Sequence, residues 1–130
     1  MFTEHMIPGL AAAGFLIITV FLMMRDLTEN QNTWLFPAIL SVLFAAFSIF
    51  VVVRAGLFGF WANHVTGYWG NQIWIDLLLA LGMVWALTLP RARAVGMKMP
   101  AWLLFIVCSG SIGALAMVAR LLFLESRRAA

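Results

Sequence analysis

The sequence predicts an all-α integral membrane bundle of four transmembrane helices, at about residues 6–24, 34–53, 73–89 and 101–124, forming a single domain over residues 1–130. Three observations predict it. Hydrophobic residues make up 65% of the chain and charged residues 10%, with a mean hydropathy of +1.03. A soluble domain is about 45–50% apolar and about 25% charged, and one small water-soluble core cannot hide the excess. Four runs reach about 20 mainly apolar residues, the length that crosses about 30 Å of hydrocarbon as a helix. None alternates apolar and polar positions, and each is roughly twice the 9–11 residues of a barrel strand, so helices, which satisfy their own backbone groups, fit better.

The first run ends at Arg25-Asp26 and carries no charge inside it. Glu4 stands near its start and no Lys or Arg precedes Arg25, unlike a cleaved signal peptide, so this span is expected to stay in the mature protein. The polar stretch Thr28-Glu29-Asn30-Gln31-Asn32-Thr33 then connects it to the second run, which starts at Trp34 and ends at Arg54. Pro37 falls in the first turn of that run, where a missing N–H is tolerated. Residues 56–71 mix Trp61, Tyr68 and Trp69 with glycines and polar side chains, which reads as a loop in the headgroup layer. The third run is the shortest and contains Asp76; the connection 90–100 holds Arg91, Arg93 and Lys98 between Pro90 and Pro100 and is expected in water. The fourth run contains Arg120.

Four spans put both termini on one face and the first and third loops on the other. Counting Lys and Arg in loops and tails favours the loop face slightly, so the positive-inside rule places the loops in the cytoplasm and the termini in the periplasm of a bacterial inner membrane. Close packing of helices in lipid uses small residues four apart. Such pairs are Gly9 and Ala13, Ser41 and Ala45, and Gly82 and Ala86; the densest group is Ser109, Gly110, Gly113 and Ala114, expected to form the central seam.

Ionisable residues in a membrane segment are costly without a partner or a task, so Arg54, Asp76 and Arg120 are the ones to weigh. The four-span topology gives them similar depth near the terminal face, with His64 in the loop above and Glu4 and His5 on the same side. Structural ion pairing and snorkelling account for them most simply. The functional readings are recognition of an anionic or polar headgroup, and proton relay through Asp76 and His64.

Several classes are disfavoured. No carboxylate lies deep in a span, as drug–proton exchange in small multidrug exporters requires. His5 and His64 lie outside the spans, which removes a bis-histidine haem. One cysteine, Cys108, excludes a disulfide framework and a multi-cysteine metal site, and its apolar setting predicts a packing role. No phosphate loop, zinc spacing or serine–histidine–acid set is present, so no catalytic or metal residue is assigned. The basic groups are few and suit a membrane surface rather than nucleic acid.

The second half, from Asn71-Gln72-Ile73-Trp74-Ile75-Asp76-Leu77-Leu78 through Arg91-Ala92-Arg93 and Gly96 to Trp102, Gly110-Ser111-Ile112-Gly113 and Arg120, resembles the small bacterial integral membrane proteins classed as domain of unknown function 2834. The likeness covers about the last 60 residues and implies a bacterial membrane location with no assigned activity.

The expected function is contact: a non-catalytic accessory or assembly subunit, with the lipid bilayer and either another membrane protein or a second copy as partners. The alternative is a binder or carrier of a lipid, quinone or pigment, with Trp85, Phe105 and Phe47 lining a pocket under the Arg54, Asp76 and Arg120 group. A small transporter or membrane enzyme ranks below both.

Overall fold

The computed structural model describes the backbone of residues 2–24 and 31–130 and the side chains of residues 6–24 and 31–130. Arg25, Asp26 and residues 28–30 of the expected first loop, and the side chains of Glu4 and His5, lie outside the described residues. Contacts divide the chain into two compact units, Met1–Gln31 and Asn32–Ala130. The first holds α1 (Phe2–Met24). Its one hydroxyl among the described side chains, on Thr19, donates to the carbonyls of Phe15 and Leu16 at 2.8 and 3.1 Å, so the helix presents no unsatisfied polar group there to lipid.

The second unit is α2 (Leu35–Ala55), α3 (Gly59–Val65), α4 (Gly67–Ala94), α5 (Met99–Ser109) and α6 (Ser111–Ala129). The described residues are helical and form no strand, as expected. Three helices, α1, α2 and α4, are long and apolar enough to cross a membrane. The fourth expected span is not one helix. It is divided into α5 and α6 by Gly110, which takes φ 61° and ψ −125°, a conformation open to glycine and strained for every other residue.

Proline 37 sits in the first turn of α2 and is buried. At the other end Gly56, at φ 82°, donates its N–H to the Val52 carbonyl at 2.9 Å and stops the helix. The expected interfacial loop 56–71 is instead α3 and the start of α4. Gly56 and Gly67 supply the left-handed turns on either side of α3, and aromatic packing offsets the entropy of ordering it: Phe60, Trp61 and His64 all lie against Trp74, at 6.5, 6.3 and 5.0 Å between ring centres.

Helix α4 continues past Pro90, where the sequence reading ends it. Proline removes one backbone bond and crowds the preceding turn, but tertiary contacts hold the last turn in place. Ala92 there is fully buried, and Arg91 is clasped by Glu125 of α6. Gly96, at φ 78°, then closes the helix in a Schellman motif, with Met97 N–H donating to Ala92 and Gly96 N–H to Arg93, both at 3.0 Å. The connection expected over 90–100 shrinks to residues 95–98, and Arg91 and Arg93 belong to the helix.

From that connection α5 runs inward for 11 residues, about 16 Å, too short to cross the hydrocarbon. Helix α6 turns back. Its end lies beside the end of α4: Arg91 donates to Glu125 from Nε at 2.9 Å and from Nη2 at 2.5 Å, and Arg128 donates to the Ala94 carbonyl at 2.6 Å. The α5–α6 segment is therefore a helical hairpin, and the end of α6, expected on the face opposite the α4–α5 connection, is found next to it.

Inside the hairpin an added Cβ on Gly113 would stand 2.9 Å from Ile106 Cα and 2.7 Å from Ser109 Oγ. Gly113 and Ala114 are buried there. Of the small-residue group, Gly113 and Ala114 thus lie in the contact between α5 and α6 while Gly110 forms the turn, and Met117 and Leu121, both fully buried, continue the core toward Ala92 and Met97. Helix α6 also packs antiparallel to α2. The Trp34 and Phe123 rings meet edge-on at 5.3 Å near one end, and the buried Ser41 hydroxyl donates to the Ile112 carbonyl at 2.9 Å farther in.

Candidate functional site

The hairpin separates the residues that the four-span topology groups together. Arg54 lies in the last turn of α2, with its guanidinium 5.4 Å from the centre of the Phe50 ring. Arg120 lies beside the start of α2, in a shallow groove lined by Trp34, Ala38, Ala119 and Phe123. Sixteen residues of helix separate Ala38 from Arg54, so the two arginines are about 24 Å apart along α2. Asp76 stands fifteen residues before Arg91 on α4, about 22 Å from the end where α6 finishes. His64 stacks on Trp74. The expected group of Arg54, Asp76 and Arg120 is not assembled.

Asp76 also differs in depth from the expectation. Because α4 starts at Gly67 rather than near residue 73, Asp76 lies about 13 Å inside the helix, beyond the first turn in which the dipole favours a carboxylate. It shares one face of α4 with Tyr68 and Gln72, spaced four apart, and lines a depression with Asn71, Ile75 and Leu79. Every residue of that depression is on α4 and exposed. Among the described residues the only ion pair is Arg91–Glu125, so Asp76 has no cationic partner there. Farther along the same face come Gly82 and Ala86, both exposed, and an added Cβ on Gly82 would meet nothing within 4 Å. One face of α4 therefore carries a polar stripe followed by a small-residue pair, neither used inside the second unit.

The other polar centre is the end where α4 and α6 finish. Arg91, Arg93, Lys98, Arg127 and Arg128 gather there, with Arg120 one to two turns inward. Glu125, the acid at that end, is not among the residues the sequence points to; a lone carboxylate directly after the apolar run that ends at Leu124, with Arg127 and Arg128 close behind, is the available signal. Its pair with Arg91 is bidentate, but the side chains are 53% and 32% exposed, so it contributes about 1 kcal/mol or less and chiefly fixes how α6 sits against α4.

The aromatics expected to line a ligand pocket do not share one. Trp85 packs on the core, Phe105 lies against Trp102 at 6.1 Å, and Phe47 and Phe105 are each more than 40% exposed. Cys108 is an exposed free thiol on α5 rather than a packing residue. Comparison with protein-family models, with curated proteins and with solved structures finds no match.

Proposed function

We propose that this chain is a small multi-pass protein of a bacterial cytoplasmic membrane that acts as an accessory or assembly subunit, docking a helix of another membrane protein, or of a second copy, on α4. The exposed face carrying Tyr68, Gln72, Asp76, Gly82 and Ala86 supports this reading. Polar groups on a spanning helix are costly against lipid and become adhesive against a partner, while the small pair lets backbones approach. No group in this reading performs chemistry. The test is extraction from the native membrane in mild detergent followed by mass spectrometry. A membrane protein at fixed stoichiometry, lost on Gly82→Leu, is expected; a monomer without protein partner would overturn the proposal.

The proposed topology is three crossings, by α1, α2 and α4, with the α5–α6 hairpin entering and leaving on one side. Six basic residues collect at the end where α4 and α6 finish, against Arg54 at the far end of α2 among the described residues. The positive-inside rule then orients that end, and with it α6's end, toward the cytoplasm. In a Cys108→Ser background, cysteines introduced as Lys98→Cys and Ala129→Cys should both react with an impermeant maleimide in inside-out vesicles and both resist it in intact spheroplasts. Labelling of the two from opposite sides would restore a crossing by residues 101–124.

A further inference from the structure

We infer that the groove between the start of α2 and the second half of α6 is a binding site for an anionic phospholipid, with Arg120 and Arg127 holding its phosphate. The two guanidinium carbons lie 5.7 and 5.1 Å from the centre of the same ring, that of Phe123, which in turn meets Trp34 edge-on. The spacing 120, 123 and 127 places all three on one face of α6. The arginines of this end differ in their commitments. Arg91 is engaged by Glu125 and Arg128 by the Ala94 carbonyl, whereas among the described residues Arg120 and Arg127 have neither a carboxylate nor a hydrogen-bond acceptor. Guanidinium is the side chain whose fork matches a phosphate oxygen pair, and Phe123 limits the rotamers that would otherwise have to be ordered on binding.

The surroundings complete a lipid site. Trp34 begins a spanning helix, the depth at which tryptophan marks the headgroup layer. Between it and Arg120 the groove is floored by Ala38 and Ala119, whose small side chains leave room along α2 and α6 for an acyl chain below the phosphate. Two cations on one phosphate leave a surplus positive charge, which disfavours the ammonium of a zwitterionic lipid and favours a headgroup that is anionic overall.

This inference rests on the membrane location of the chain and not on the docking partner, and its test uses the purified full chain alone. Native mass spectrometry from detergent doped with phosphatidylglycerol or phosphatidylcholine should show a preferentially retained phosphatidylglycerol. The double variant Arg120→Gln with Arg127→Gln should weaken that retention about tenfold or more. Arg93→Gln with Lys98→Gln removes the same charge from the same end and should leave it unchanged. Equal loss in both double variants would reduce the effect to diffuse attraction and overturn the site, as would no loss in the first. Helicity is checked by circular dichroism; if the first double variant misfolds, Ala38→Leu, which fills the groove and keeps both arginines, decides. Loss of phosphatidylglycerol in Ala38→Leu supports the site, and full retention overturns it.

Discussion

Gly113→Leu should unfold the α5–α6 hairpin while leaving the long helices intact. The first atom of the new side chain would stand 2.9 Å from Ile106 Cα and 3.0 Å from its backbone nitrogen, and backbone, unlike the tip of a flexible side chain, cannot step aside. Overpacking of a well-filled site costs about 1–3 kcal/mol where side chains can repack. Here α5 must move away from α6, which also opens the contacts of the fully buried Met117 and Leu121, so about 3 kcal/mol or more is expected. Denaturant titration of helicity in mild detergent reads the loss. The control is Ala101→Leu, which introduces the same side chain at an exposed position of α5 and should be silent; equal stability of the two variants would contradict the close approach.

The second large effect is expected at Gly110. Alanine there is forced into φ 61°, ψ −125°, at a cost of about 1–3 kcal/mol, and it favours continuation of the helix by about 1 kcal/mol over glycine. Gly110→Ala therefore shifts the balance between hairpin and straight helix by about 2–4 kcal/mol against the hairpin. Gly82→Ala is the informative comparison. Gly82 lies within α4 without a positive φ, and an added Cβ meets nothing, so the same substitution should be neutral or stabilising by up to about 1 kcal/mol in the isolated chain. Opposite signs for one chemical change at two glycines would show that backbone conformation, not glycine itself, sets the requirement.

Apolar length alone makes α1, α2 and α4 legible in the sequence, and Pro37 correctly marks the first turn of α2. Hydropathy averaged over some twenty residues cannot see a turn inside an apolar run, which is why residues 101–124 read as one span. The local signal was nonetheless present: Gly110 stands between Ser109 and Ser111, a combination that favours turns. Gly113 and Ala114 of that stretch lie at a close contact, but it joins two halves of the expected span rather than two spans, and Gly110 makes the turn between them. Pro90 misleads for a different reason. Its effect on the helix is local, while Ala92 burial and the Arg91–Glu125 pair are tertiary and cannot be read from neighbours in the chain. Once the fourth span folds back, the depth argument that unites Arg54, Asp76 and Arg120 fails with it, because that argument depends on which way each helix runs.

The brevity of α5 bears on how the protein is made. In the topology proposed above, α1, α2 and α4 leave the insertion machinery as independent spans, but a helix of about 16 Å has no stable station of its own in hydrocarbon. In that topology it partitions together with α6, against the seat that Ala92 and the Met97 turn provide at the end of α4. In the orientation proposed above, the ribosome and the hairpin lie on one side of the bilayer, and neither α5 nor α6 has to be translocated. A rapidly folding reporter joined after α6 should then leave membrane integration undisturbed, whereas one inserted into the turn at Gly110 should block it.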